Sequence, residues 1–184
     1  MENKLISVKT AIAIAIGAAL MFVLNYFAGF SIGVEGTYIQ LGIAVLAAIA
    51  AIFGPIAGFL TGLIGHFLVD LVNYLTQAED QLWWSWIISS AIFGLVIGSC
   101  WKMYLSESGN FGVKQALIFN GIQIAANVLV WVFIARTLDM LIYKEPFGKV
   151  SLQGFAAAAV NSVVVLVLGT LLIFVYHKVF NKAK

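Results

Sequence analysis

The sequence predicts an all-α membrane protein: one polytopic domain, residues 1–184, with six transmembrane helices. Of its 184 residues, 62% are hydrophobic and only 10% are charged, whereas soluble domains are about 25% charged. Polar, glycine and proline residues divide the chain into six apolar runs, and a helix of ~20 residues crosses a bilayer. Six such spans use about 120 residues, so the chain has no room for a separate water-soluble catalytic domain.

Each predicted helix is bounded by polar, glycine or proline residues. Pro55 directly follows Gly54 and suits the first position of a helix, so the third helix should begin there. A loop of mixed charge that contains Pro146 should precede the sixth helix. The six predicted helices cover residues 10–30, 38–53, 55–75, 83–104, 113–137 and 152–177, and the loop before the last one covers residues 139–151.

An even number of spans places both termini on one side of the membrane, and the lysines and arginines indicate which side. The loops and ends on the side of the termini hold seven cations, and the opposite loops hold three. Because cytoplasmic loops carry the excess of positive charge, both termini are predicted to be cytoplasmic. The seven are Lys4, Lys9, Lys102, Lys114, Lys178, Lys182 and Lys184, and the three are Arg136, Lys144 and Lys149.

Other features of the sequence exclude whole classes of protein. A net charge of +2 without a basic stripe gives no surface for nucleic acid. The one cysteine, Cys100, cannot form an intrachain disulfide or a cysteine-based metal cluster. The sequence holds no phosphate-binding loop and no motif for a nucleophilic serine. We therefore expect no enzymatic activity, no metal and no resident cofactor.

Small residues recur at four-residue spacing, which lets helix backbones approach closely in lipid. On the third and fourth helices they predict packing within the chain. On the first helix the same spacing fits either internal packing or the docking of a partner subunit. The residues are Gly54, Gly58 and Gly62 in the third helix, Ser90, Gly94 and Gly98 in the fourth, and Ala11, Ala15 and Ala19 in the first.

Polar side chains at membrane depth are costly and need a physical reason. His66 and Asp70 are one helical turn apart and can face each other. Most other polar and aromatic groups fall toward the outer half of the bundle, which predicts a pocket for a sizeable, largely uncharged ligand. The predicted substrate-binding residues are Tyr26, Glu35, Tyr38, Gln40, His66, Asp70, Trp83, Trp84, Trp86, Asn127 and Gln153, and further polar groups at depth are Asn25, Asn120, Gln123 and Asn161.

Each of these groups also has a purely structural interpretation. His66 and Asp70 can form a hydrogen-bonded pair without touching a ligand. The amide face of the fifth helix, which includes Asn127, can join helices. The tryptophan-rich start of the fourth helix can anchor it at the membrane interface. Arg136 and Asp139 are predicted to form a weak ion pair at the end of a loop.

Two stretches of the chain resemble a known family. The first is Phe53-Gly-Pro-Ile-Ala-Gly-Phe-Leu-Thr-Gly-Leu-Ile-Gly-His66, which continues to Asp70, and the second is Trp83-Trp-Ser-Trp-Ile-Ile-Ser-Ser-Ala-Ile-Phe-Gly-Leu-Val-Ile-Gly98. Both resemble the substrate-binding S component of energy-coupling factor (ECF) vitamin transporters. Within that family they are similar to a subgroup that was long classed as an uncharacterised protein family. This subgroup is commonly labelled riboflavin-type, and cobalamin uptake has been assigned to it.

The resemblance implies a mechanism and a set of partners. An S component binds a vitamin at the outer face under a lid, here residues 29–40. A membrane-embedded T component and two cytoplasmic ATPase subunits supply the energy, and the alanine motif of the first helix contacts the T component in the bacterial cell membrane. Cobalamin is the expected vitamin and riboflavin the second. An alternative of another class is a stand-alone proton-coupled carrier that uses His66 and Asp70.

Overall fold

Seven helices and a short antiparallel ribbon form the part of the chain that the computed structural model describes, residues 7–104 and 111–180. The predicted all-α class is confirmed. Lys4, Lys182 and Lys184, which entered the charge comparison, lie outside these residues. The helices are α1 (Val8–Ala28), α2 (Gly42–Phe53), α3 (Pro55–Leu75), α4 (Trp84–Ser99), α5 (Trp101–Tyr104), α6 (Val113–Ile142) and α7 (Phe147–Phe180), and the ribbon pairs β1 (Phe30–Ser31) with β2 (Tyr38–Ile39).

Four of the described helices, α1, α3, α6 and α7, are long and apolar enough to cross a membrane. The chain is therefore a membrane protein with several candidate spans. The other two apolar helices are shorter, with 12 residues in α2 and 16 in α4. A helix of 12 residues is only about 18 Å long, against a hydrocarbon core of ~30 Å. That α2 and α4 also cross, which would give six spans, stays a prediction.

The short helix α2 lies at the centre of the bundle, where α1, α3, α4 and α7 all contact it. Five of its 12 residues are alanines, whose small side chains let the surrounding backbones come close. Ile43 and Leu46 fill the remaining space and are fully buried. A helix that is apolar on every face is typical of such a buried position.

The helices α3 and α4 pack through the predicted small-residue faces. A Cβ on Gly58 would collide with the carbonyl oxygen of Gly94, and a Cβ on Gly62 would collide with that of Ser90. The turn before α3 is also as predicted, with Pro55 at the start of the helix. The interpretation of these small residues as internal packing is confirmed.

Replacing Gly58 by leucine should lower the free energy of unfolding by about 2 kcal/mol or more, because the added side chain forces two backbones apart. Gly121→Leu is the matched control, since a Cβ on Gly121 meets no atom within 4 Å. Thermal unfolding of both variants in detergent measures the difference. Equal melting temperatures for the two variants would contradict the close packing of α3 on α4.

The last two helices are longer than predicted. The expected loop at residues 139–151 is wrong, because only residues 143–146 separate α6 from α7. Asp139 accounts for the difference, since it is buried within α6 and hydrogen-bond donors from α4 satisfy its carboxylate. Arg136 and Asp139 do not form the predicted ion pair. The Arg136 guanidinium instead lies 5.1 Å from the centre of the Phe147 ring.

Three further helix ends differ from the prediction. The first helix ends at Ala28, and the second begins at Gly42 rather than at residue 38. Residues 38–39 are extended because they pair with β1. The predicted fourth helix is interrupted at Cys100, which separates α4 from the single turn α5.

Candidate functional site

Two adjoining cavities lie at the end of the bundle where α1 and α3 finish. The first, of about 90 Å³, is lined by His66 and is called here the histidine compartment. The second, of about 180 Å³, is lined by Asn25 and is called the asparagine compartment. Because several residues line both, the two compartments are neighbouring parts of one site. The shared residues are Tyr38, Gln40, Val69, Asn73 and Glu79; the histidine compartment adds Gly36, Thr37, Asp70, Trp83, Trp86, Ala157 and Asn161, and the asparagine compartment adds Tyr26, Gly29 and Ala78.

A buried series of polar contacts forms one wall of the histidine compartment. His66 Nδ1 lies 2.6 Å from Ser90 Oγ of α4, and His66 Nε2 lies 3.5 Å from Asp70 Oδ1. The other carboxylate oxygen of Asp70 accepts a hydrogen bond from the Trp83 backbone N–H at 3.0 Å. The predicted contact between His66 and Asp70 is confirmed. These contacts join α3 to Ser90 within α4 and to Trp83 just before α4. The wall is therefore held in place by both helices.

The side chain of Trp83, which lines the histidine compartment, is fixed by two contacts. Its indole Nε1 donates to Glu79 Oε2 at 3.2 Å, and its ring packs edge-to-face on Tyr143, with 4.7 Å between the centroids. The Tyr143 hydroxyl donates to the Leu82 carbonyl and accepts from the Trp84 N–H. Burial raises the pKa of the Tyr143 phenol, so the hydroxyl stays protonated near neutral pH and can make both bonds.

Trp86 is held by a different set of contacts. Its Nε1 donates to Asp139 Oδ2 at 3.0 Å, and its ring stacks on Trp131 with the centroids 5.3 Å apart. Ser85 donates to the other oxygen of the Asp139 carboxylate. Trp131 is in turn fixed by a hydrogen bond from its Nε1 to Asn127 Oδ1 at 2.9 Å. Trp86 therefore presents a preorganised aromatic surface to the cavity.

The amide residues of α6 join helices rather than line the cavity. Asn120 Nδ2 donates to Thr170 Oγ1 of α7 at 2.9 Å, and Gln123 Nε2 donates to the Ser162 carbonyl of α7 at 3.1 Å. Asn127 is fully buried and is bonded to Gln123. The bonds of Asn120 and Gln123 match the alternative interpretation of the amide face as a link between helices, whereas the printed bonds of Asn127 stay within α6.

The segment between α1 and α2, which includes the predicted lid, is fastened to α7. Gln153 Nε2 donates to the Glu35 carbonyl at 2.8 Å, and Lys149 Nζ lies 3.5 Å from Glu35 Oε1. Gly33 and Gly36 have φ values of +82° and +65°, which favour glycine. Residues 36–38 of this segment line the histidine compartment, so it closes the site on one side.

The structure brings together seven of the eleven predicted site residues and leaves four outside the lining. Trp84 is exposed and packs on Phe67, with 5.8 Å between the ring centroids. The contact between Gln153 and the Glu35 carbonyl joins the segment before α2 to α7. Asn127 is bonded to Gln123 and Trp131. The seven that line a compartment are Tyr26, Tyr38, Gln40, His66, Asp70, Trp83 and Trp86.

Sequence reasoning missed two polar residues that line both compartments, Asn73 and Glu79. Asn73 follows His66 and Asp70 at the i, i+4, i+7 spacing of one helix face, so an extension of that pattern could have found it. Glu79 lies in the polar loop after α3 and gives no such periodic signal. Its position becomes evident only from its hydrogen bond to Trp83.

The alanine motif of α1 does not pack inside the described part of the chain. Ala11, Ala15 and Ala19 are exposed, and Ile12 and Ile16 beside them are 55% and 54% exposed. The opposite face of α1 is the buried one. An apolar face of small residues is therefore available to lipid or to a partner.

Comparisons with known proteins agree with this architecture. The family model described as ECF-type riboflavin transporter, S component, matches residues 5–178. A UPF0397 protein of Lacticaseibacillus casei strain BL23 is 43% identical over 175 residues, covering 95% of this chain and 91% of the relative. A UPF0397 protein of Staphylococcus aureus strain MRSA252 is 45% identical over 176 residues, covering 96% and 93%. No solved structure gives a significant match. The chain belongs to the S-component family of ECF-type riboflavin transporters, whose members are membrane subunits and not enzymes.

Proposed function

We propose that this chain captures a vitamin at the outer face of a bacterial cell membrane. In this proposal the six apolar helices cross the membrane, both termini are cytoplasmic, and the two compartments open outward. The charge distribution supports the orientation, because the cavity end carries Arg136, Lys144 and Lys149 and the described lysines at the opposite end number four. Those four are Lys9, Lys102, Lys114 and Lys178.

The observation that carries the proposal is the pair of compartments formed by α1, α3, α4, α7 and the lid, residues 29–40. Aromatic rings and a few convergent polar groups line them, as is typical of sites for organic ligands. Tyr26, Tyr38, Trp83 and Trp86 supply aromatic surface, and Gln40 supplies an amide. The family assignment supports a vitamin as the ligand.

Cobalamin is the proposed vitamin and riboflavin the second candidate. The cobalamin proposal rests on the resemblance of the two motif stretches to the subgroup with assigned cobalamin uptake. The riboflavin candidate is favoured by the name of the matched family and by the aromatic lining. Compartments of about 90 and 180 Å³ are smaller than the roughly 300–1,000 Å³ of typical ligand sites. Either vitamin therefore enters only when the lid moves.

The energy for transport comes, in this proposal, from a T component and two cytoplasmic ATPases. The exposed face of Ala11, Ala15 and Ala19 is the proposed docking surface for the T component. Its small side chains would let a partner helix approach closely within the membrane.

Calorimetric titration of the purified chain with cobalamin and riboflavin tests the proposed ligand. We expect cobalamin to bind with a submicromolar dissociation constant in the absence of any partner subunit. Binding of riboflavin alone would replace the first candidate by the second. Failure of both vitamins to bind at micromolar concentration would contradict the proposed substrates.

The lid contact to α7 gives a kinetic prediction. Gln153→Leu removes the hydrogen bond to the Glu35 carbonyl, which is worth about 1 kcal/mol, so vitamin dissociation should accelerate roughly fivefold. Glu35→Gln is the control, because the Glu35 carboxylate is 85% exposed and exposed ion pairs contribute little. Stopped-flow displacement measures both rates. Equal dissociation rates for the two variants would show that Gln153 does not hold the lid.

A further inference from the structure

Carboxylates set the charge of the cavity wall. Among the residues that line the two compartments, the acids are Asp70 and Glu79, and no lysine or arginine of the described chain lines either one. The indole N–H of Trp83 donates to Glu79 and its backbone N–H donates to Asp70. These donors supply hydrogen bonds but no charge. Only His66, which contacts Asp70, could offset a carboxylate by taking up a proton.

Two of the three cations at this end of the bundle are occupied outside the compartments, and the third, Lys144, is exposed and lines neither one. Lys149 Nζ lies 3.2 Å from Glu145 Oε2 and 3.5 Å from Glu35 Oε1. The Arg136 guanidinium lies over the Phe147 ring. The acidic groups that line the two compartments are therefore not offset by a lysine or arginine in the described lining. A cleft lined by one sign of charge concentrates ligands of the other sign and repels its own.

A second feature is a buried donor without an acceptor on Asn25, a residue that lines the asparagine compartment. Asn25 is 7% exposed, and its Oδ1 accepts a hydrogen bond from the Gly42 N–H at 2.7 Å. This bond fixes the orientation of the amide, which leaves Nδ2 buried without a hydrogen-bond partner. A buried donor without an acceptor costs free energy, and Asn25 lines the asparagine compartment. A ligand that brings an acceptor oxygen would remove this cost.

We infer that the site selects a vitamin without net negative charge, one that offers a neutral acceptor oxygen to Asn25 Nδ2 and donors or positive charge to Asp70 and Glu79. Vitamins that carry a free carboxylate or phosphate are rejected. The inference rests on the proposed vitamin-capturing function and specifies its substrate class. Both proposed vitamins satisfy it, since neither has a net negative charge and both carry carbonyl oxygens.

Two matched pairs of ligands test the inference by calorimetry on the purified chain. The first pair is cyanocobalamin and its derivative in which one propionamide is hydrolysed to the acid. The second pair is riboflavin and riboflavin 5′-phosphate. In the pair whose neutral member binds, we expect the anionic member to bind at least tenfold more weakly. Equal affinities within that pair would overturn the inference and leave the vitamin-capturing function intact, whereas no binding by any of the four would overturn the proposed function itself.

Charge variants locate the source of the selectivity. Glu79→Gln should reduce the ratio of the affinities for the neutral and the anionic ligand at least threefold. Asp80→Asn is the matched control, because Asp80 is the neighbouring exposed acid and lines neither compartment. An equal effect of the two variants would overturn the role of Glu79.

A variant of Asn25 tests the donor without removing the structural bond. Asn25→Asp keeps an acceptor oxygen for the Gly42 N–H and replaces the donor Nδ2 by oxygen. We expect the neutral vitamin to bind at least tenfold more weakly, while the free protein still unfolds cooperatively but at a lower temperature, because the variant buries a carboxyl group. Unchanged affinity in a folded variant would overturn the role of Asn25.

Discussion

An Ala15→Trp variant should abolish ATP-driven vitamin uptake by the assembled transporter and leave vitamin binding by the isolated chain unchanged. Ala15 is exposed on α1, and a bulky ring there prevents close approach of a partner helix. The compartments lie at the other end of α1, where Asn25 and Tyr26 line the asparagine compartment. Uptake into proteoliposomes and calorimetric titration measure the two properties separately.

The matched control for this variant is Ala125→Trp, which places the same side chain at an exposed position on α6. Uptake by the control should stay within about twofold of the parent. Equal loss of uptake in both variants would show that a bulky side chain at any exposed position of these helices impairs uptake. Loss of vitamin binding in Ala15→Trp would show that this face supports the fold rather than a partner.

A Trp86→Leu variant should weaken vitamin binding by roughly tenfold or more. Trp86 lines the histidine compartment, and Asp139 and the stacked ring of Trp131 hold it in place. Aromatic stacking contributes ~0.5–1.5 kcal/mol beyond apolar burial, and each 1.4 kcal/mol changes affinity about tenfold. Calorimetry gives the affinity directly.

Trp84→Leu is the control for the aromatic surface, because Trp84 belongs to the same cluster but lies outside both compartments. Its affinity should remain within about twofold of the parent. Ligand-induced quenching of tryptophan fluorescence should fall in Trp86→Leu and persist in Trp84→Leu. The opposite ranking of the two variants would contradict the placement of the site.

The fold was predictable where local chemistry decides it. Helix starts such as Pro55 and the small-residue contact of Gly58 with Gly94 follow from residue type and spacing alone. The loop expected at residues 139–151 was wrong for a tertiary reason. Asp139 is an acidic residue in an otherwise apolar helix, so the sequence alone favours a loop there. Its burial is favourable because Ser85 and Trp86, which are far away in the sequence, donate hydrogen bonds to its carboxyl group.

The location of the candidate site was predictable from the sequence, but the full set of residues that line it was not. The helical spacing of His66 and Asp70 placed both on one face, and the same spacing extends to Asn73. Asn127 is different, because its helix position is compatible either with the cavity or with Gln123 and Trp131. The structure gives Asn127 the second set of partners, which lie on its own helix at four-residue spacing. Spacing alone cannot show whether such a side chain bonds along its own helix or turns toward a cavity.

In the proposed function, this polypeptide binds the vitamin and other subunits supply the energy for import. An uptake assay tests this division of roles. Radiolabelled vitamin is supplied to liposomes that contain only this chain, with an imposed pH gradient and internal ATP. We expect saturable binding at one vitamin per chain without accumulation in the lumen. Accumulation above the external concentration by this chain alone would contradict it and would favour a proton-coupled carrier built on His66 and Asp70.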